Sequence, residues 1–367
     1  IALIHNAQVF EWDSNATNAV TNRATIIAGA PTASRDMLVS TPDRHLVFFG
    51  TEETIGDPTT QDEMFIRFSD QEDINTYQPT AVNTAGTQRL ADGSKIVGAV
   101  RGRDATYIWT DTSLFTMRFI GQPLTFGFQQ VGTNCGLIGQ NAALEVDGAA
   151  YWFSENGFFK YSGNLETMTC LVEDFVYNDL NTTANQLINV GLNNLFGEIT
   201  WFYCTESSTV VNRCVTYNYM DSSPQRPVWT TGTLNRGTWK DSSVFGLPHA
   251  TYFNADDDAS FDVQGNTEGS TIYFEHEKGT DQTLANGVTA ITSNIESGDF
   301  DITQARSSTG QQTGVATFKG DGEFLMKIRR FIPDFLSQTG NTQVTLQLKN
   351  YPNSSQSSSP LGPFTIT

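Results

Sequence analysis

Hydrophobic positions in this chain come in short bursts that alternate with polar ones, separated by Gly, Asn, Asp and Ser. Residues 104–121 read DATYIWTDTSLFTMRFIG, and from Gly148 the chain reads GAAYWFSENGFFKYSGN. Each is an aromatic strand around a tryptophan (Trp109, Trp152), a polar turn, a second apolar strand and a glycine. Residues 197–232 repeat the phrase around Trp201 (GEITWFYC…), a looser copy with a longer insertion spans 44–79, and STIYFEHEKGTD at 270–281 opens as another. The central aromatics Phe49, Trp109, Trp152, Trp201 and Phe274 follow one another at 60, 43, 49 and 73 residues. Periods of roughly 40 to 50 residues with several short strands apiece are the sequence mark of propeller blades. A blade buries both of its faces only by stacking on its neighbours, so these five aromatics are predicted to be blade-core residues. The repeated phrase is predicted to be each blade's inner hairpin. A large β-sandwich is the alternative that the uneven spacing leaves open.

The remaining pattern sets the domain organisation. A helix is predicted near LVEDFVYNDLN (171–181), where Leu171, Phe175, Val176 and Leu180 fall on one face. Residues 253–269 (FNADDDASFDVQGNTEG) read as a polar loop. After about residue 284 the strands lengthen and lose their tryptophans, as in VTAITSNIESGDFDI, GEFLMKIRRFIPDF and TQVTLQLKNYP, and NSSQSSSP (353–360) reads as a flexible loop. The expected division is a β-propeller-like domain over 1–283 and a smaller β-sandwich or meander over 284–367. Both ends stop inside strand-like phrases, so the chain reads as cut from a longer polypeptide at each terminus.

Composition agrees with an all-β fold. The chain has 367 residues, 38% hydrophobic and 11% aromatic with 25 Phe, but only 17% charged. Aromatic and β-branched residues fill pleated surfaces, while Gly and Asn tolerate turn geometry. The charge is lopsided, 40 acidic against 21 basic residues for a net of −19. Tight nucleic-acid binding needs clustered cations to neutralise phosphates. The densest basic stretches are RGR (101–103) and KIRR (327–330). Arg101, Arg103, Lys327, Arg329 and Arg330 are therefore assigned to surface or subunit-interface roles, paired with the plentiful carboxylates. No apolar run approaches the ~20 residues that span a bilayer, and no membrane role is expected.

Candidate chemistry is sparse. Asn254, Asp256 and Asp258 alternate like the first ligands of a calcium loop, but Ala259 stands where glycine is needed and Gly265 where a bidentate Glu is needed. In FEHEK (274–278), a continuous strand would put Glu275 and Glu277 on one face and His276 on the other. No nucleophile elbow, P-loop, HExxH or dinucleotide fingerprint is present, and none of His5, His45, His249 and His276 sits in a catalytic phrase. SENGFFKYS (154–162) keeps the serine and glycine of a sialidase-type turn and lacks its aspartate and Thr-Trp. Cys204 and Cys214 flank a hairpin turn and could face each other; with Cys135 and Cys170 they read first as free thiols packed as small hydrophobes. No catalytic, cofactor-binding or metal residues are assigned, and no cofactor is expected.

An ordered series of phrases carries a resemblance. RHLVFFG (44–50), IRFSDQED (66–73), NTAGTQRLADGSKIV (83–97), WTDTSLFTMRFIGQPLTFGF (109–128), NCGLIGQNAA (134–143), YWFSENGFFKYSG (151–163), EITWFYC (198–204), IYFEHEKG (272–279) and RFIPDF (330–335) together resemble one known family. These are the tail nozzle, or tail hub, proteins of short-tailed double-stranded DNA bacteriophages, also labelled packaged-DNA stabilisation proteins. The resemblance implies a propeller-bearing, non-enzymatic virion subunit of the tail, assembled in the host cytoplasm. Copies of itself would form a ring, a hexamer by analogy. The other implied partners are the tail adaptor and portal-side proteins, distal needle or fibre proteins, and genomic DNA that passes without tight binding. An acidic conduit fits the net charge, because carboxylates repel phosphates. The alternatives are a propeller that binds or cleaves a host surface glycan, and a receptor-binding spike domain.

Overall fold

The alternating bursts form strands, and consecutive bursts pair with one another because short turns return the chain antiparallel. The computed structural model describes residues 1–13, 23–40, 43–224, 226–241, 246–254, 270–284, 287–291, 293–298, 303–306, 312–317, 330–332, 334–335, 338, 340–349 and 360–366. The chain divides into two compact units, 1–290 and 291–367. The first unit therefore runs past residue 283 to include one further hairpin.

Six small antiparallel sheets follow one another in the first unit as the blades of a β-propeller. Blade I comprises β1 (Ala2–Leu3), β2 (Val9–Glu11) and β3 (Thr25–Ile26). Blade II comprises β4 (Asp36–Ser40), β5 (His45–Phe49), β6 (Phe65–Phe68) and β7 (Gly86–Arg89). Blade III is built from β8 (Ile96–Arg101), β9 (Thr106–Thr110), β10 (Ser113–Gly121) and β11 (Thr125–Thr133). Blade IV has β12 (Ala143–Val146), β13 (Ala149–Ser154), β14 (Gly157–Tyr161) and β15 (Leu165–Met168). Blade V has β16 (Asn189–Asn193), β17 (Glu198–Tyr203), β18 (Arg213–Asn218) and β19 (Trp229–Gly232), and blade VI has β20 (Thr238–Lys240), β21 (His249–Asn254) and β22 (Ser270–Glu275). The hairpin β23 (Asp281–Leu284) and β24 (Gly287–Ala290) completes the unit. In the second unit, β25 (Thr303–Arg306) pairs with β26 (Gln312–Thr317) and β27 (Thr342–Leu346) with β28 (Leu361–Ile366). The KIRR phrase up to Arg329, the acidic segment 255–269 with Asp256 and Asp258, and the Ser-rich stretch 353–359 lie outside the described residues.

The first strands of successive blades touch in order, β4 to β8 to β12 to β16 to β20, so the first strand of each blade is the innermost. This corrects one expectation. The repeated phrase forms β9–β10 in blade III and β13–β14 in blade IV, the middle pair of a four-stranded sheet rather than its inner hairpin. Middle strands are covered by pairing on both edges and by blades on both faces. That is why they carry the longest aromatic runs, and β5, β9 and β13 are buried at every position. The turn between β12 and β13 is Asp147-Gly148, both at positive φ (53° and 83°), which a two-residue Asp-Gly hairpin requires.

The helix forms as α1 (Glu173–Asp179), a short element between blades IV and V. Only half of its expected apolar face is buried. Val176 and Leu180 are in the core, whereas Leu171 and Phe175 are exposed. Leu171 precedes the first helical residue, so the helical period does not reach it.

Candidate functional site

Four of the five core aromatics occupy one structural position. Phe49, Trp109, Trp152 and Trp201 lie in the second strands of blades II to V, and all are fully buried. Phe274 does not share this position. It lies on β22, the third strand of blade VI, opposite Ala250 on the second, and is half-buried under the Arg236 guanidinium at 4.2 Å. The last, longest spacing in the aromatic series is therefore a change of phase. The indoles also do more than fill space. Trp152 Nε1 donates to Cys135 O at 2.8 Å, Trp229 Nε1 to Thr169 O at 2.8 Å and Trp239 Nε1 to Leu192 O at 2.8 Å. Each reaches back to an earlier part of the chain.

The residues that start the inner strands form a polar girdle at one end of the propeller. Asp36 begins β4 and receives hydrogen bonds from the Met37 and Ala99 backbone N–H groups and the Gln140 side chain. Burial raises its pKa, and those bonds, with His5 nearby, only partly oppose this. A shallow pocket of about 280 Å³ is lined here by Leu3, His5, Arg35, Asp36, Met37 and Gln140. Gly98 on β8 lies so close to Gln140 O that an added Cβ would stand at 2.7 Å. Asn141 and Asn189 form a parallel bridge, and Asn189 Nδ2 donates to Arg236 O at 3.0 Å. Blades II to VI are thus tied in sequence at this end.

A larger cleft of about 440 Å³ opens on the girdle where blades V and VI meet. Asn141, Gln186 and Asn189 supply amides, Leu187, Val210 and Val211 an aliphatic wall, and Tyr252 and Phe253 aromatic rings. Gln186 and Leu187 belong to a 3₁₀ segment, Thr182–Leu187, started by an Asn181 cap whose side chain accepts from Thr183 N–H at 3.0 Å. Asn189 is buried, and its Oδ1 has no hydrogen-bond partner among the described residues. Sequence reasoning missed this cleft, because its amides come singly from separate elements and make no motif.

Beside the cleft, Arg236 is buried without an ion pair among the described residues. Its Nε donates to His276 Nε2 at 2.9 Å and its Nη1 to Asn235 O at 2.7 Å. Burial lowers the Arg236 pKa to about 10. Burial, then the charges of Arg236 and His249, pull His276 down to about 4, so at neutral pH His276 is an uncharged acceptor. The FEHEK reading needs correction here. The strand ends at Glu275, and Glu277 sits at φ 58°, so the carboxylates do not share a strand face. Glu275 pairs with Lys278, while Glu277 Oε1 accepts from Asn193 Nδ2 at 3.0 Å.

All four cysteines are free. Cys214 stands opposite Phe202, two residues out of register with Cys204. Burial raises the Cys135 thiol to about 11 and Cys170 to about 12, so neither is a thiolate at neutral pH. Among the described residues, no cluster of three or more His, Cys, Asp or Glu could hold a metal ion, and no helix is long and apolar enough to cross a membrane. Arg101 and Arg103 are exposed but, among the described residues, form none of the ion pairs expected of them.

No protein-family model matches the chain, and no curated protein matches it. Among solved structures it is similar to one described as the AfRom2 CNH domain, at 10% identity and a TM-score of 0.39, over 83% of this chain and 86% of that one.

Proposed function

We propose that the chain is a structural, non-enzymatic subunit of a short bacteriophage tail. Copies of it form a nozzle or hub ring that continues the portal channel, retains packaged DNA and lets it pass on infection. The observation that carries this reading is the order of the phrases that resemble tail nozzle proteins. RHLVFFG, WTDTSLFTMRFIG, YWFSENGFFKYSG, EITWFYC and IYFEHEKG fall on blades II, III, IV, V and VI in turn. The resemblance therefore follows five successive blades rather than one local motif. The net charge of −19 supports a conduit role, since a surface rich in carboxylates repels phosphates and holds no DNA by counterion release.

Electron microscopy of the purified chain, alone and with the tail adaptor and portal-side proteins, tests the proposal. Closed rings, six-membered by analogy, are the expected outcome. A chain that stays monomeric at high concentration with and without those proteins defeats the reading.

A further inference from the structure

We infer that the cleft between blades V and VI binds a neutral oligosaccharide. At about 440 Å³ it lies within the range of small-ligand sites. Its chemistry selects the ligand class. None of its lining residues is charged, although the chain as a whole is strongly acidic. A phosphorylated or carboxylated ligand would need cations. The nearby Arg236 is buried, donates to His276 and Asn235, and lies over the Phe274 ring. A purely apolar ligand would cover the amides of Asn141, Gln186 and Asn189 without replacing their hydrogen bonds, which burial penalises.

A neutral sugar answers both halves of the lining. Its hydroxyls donate and accept at once, as amide side chains do. Its C–H faces lie against apolar surface, which Leu187, Val210, Val211 and the exposed Phe253 ring provide. Asn189 adds a specific demand. Its Nδ2 is held by Arg236 O at 3.0 Å, and its Oδ1 lacks a donor among the described residues. A hydroxyl or acetamido N–H supplies one. The site is also preorganised. Asn189 is fixed in β16, and the segment bearing Gln186 and Leu187 is fixed by the Asn181 cap and by Ile188 N–H donating to Asn185 O at 3.1 Å. Little ordering opposes binding.

Titration calorimetry of the full chain with triacetylchitotriose and with maltotriose tests the site, with glucose 1-phosphate as the charged control and trialanine as the peptide control. The expected result is binding of at least one neutral trisaccharide in the millimolar range or tighter. Phe253→Ala and Gln186→Ala should each weaken it about tenfold or more. Both side chains are exposed, so thermal melting should not change, and Leu124→Ala on the distant β10–β11 turn should leave binding intact. Absence of saccharide binding up to about 10 mM overturns the inference. So does binding that ignores both truncations, or binding of trialanine alone. The inference is independent of the tail proposal: sugar binding by a chain that forms no rings would sink only that proposal, and rings without sugar binding only this site.

Discussion

Trp201 donates its indole N–H to the carbonyl of Ala142 at 2.9 Å, joining the second strand of blade V to the residue that precedes the first strand of blade IV. Its counterpart Trp109 is as deeply buried, yet its Nε1 has no partner among the described residues. The pair separates packing from hydrogen bonding. Trp201→Phe should cost about 0.5–1.5 kcal/mol beyond its packing loss, because one hydrogen bond is lost while the Ala142 carbonyl keeps the Phe153 N–H. Trp109→Phe should cost only packing, offset by removal of an unsatisfied donor. Urea denaturation of both variants measures the difference, and equal losses would remove the hydrogen bond from the account. Truncation to Ala should cost ~3–5 kcal/mol at Trp109, Trp152 or Trp201.

Gly139 sets the approach of two inter-blade connections. A Cβ there would stand 2.2 Å from Asn185 O, a backbone atom with little freedom to yield. Gly139→Ala should therefore destabilise by about 1–3 kcal/mol. Gly148→Ala meets nothing within 4 Å and should cost only the strain of its positive φ. Thermal melting of the two variants side by side checks the ranking.

His276 gives blade VI a pH dependence. Its folded pKa of about 4 lies below the ordinary 6.5, so the native state binds fewer protons than the unfolded chain between those values. Its contribution to stability is full above about pH 6.5, falls as the pH drops towards about 4, and is gone below that. Allowing for partial exposure, the change is on the order of 1–2 kcal/mol. Carboxylates titrate in the same acidic range, so the measurement is the difference between wild type and His276→Gln in denaturation at about pH 7 and about pH 4.5. A difference that does not vary with pH would remove the burial of His276 beside the Arg236 charge as its source.

Duplex DNA should bind the chain no more tightly than about 10⁻⁴ M at physiological salt. Arg101 and Arg103 are the clustered cations exposed on β8 and the turn after it. Reversing both to Glu should change nothing in a fluorescence-anisotropy titration. Micromolar, salt-sensitive binding that the double reversal abolishes would turn a passive nozzle into a clamp.

The propeller was legible because its middle strands bury both faces and so concentrate aromatics once per blade, as in TYIWT and AAYWFS. Blade VI broke the pattern. Its second strand places Ala250 opposite Phe274, and one strand's aromatic cannot reveal that its partner has moved to the next. The indole acceptors were not legible at all, since a backbone carbonyl such as that of Cys135 or Ala142 carries no sequence signature. The cleft was hidden for a related reason. Asn141, Gln186, Asn189 and Phe253 become neighbours only when two blades meet, and no local spacing encodes that meeting.

The indole bonds of Trp152, Trp201, Trp229 and Trp239 all run from a later residue to an earlier one. Synthesis proceeds from the N-terminus, and early segments fold before late ones emerge. Each acceptor carbonyl is therefore already outside the ribosome when its tryptophan appears. Blades IV, V and VI each find these acceptors already made, and none must wait for a successor to complete these bonds. A circularly permuted chain starting inside blade V would reverse that order for Trp201, whose donor would then emerge long before Ala142.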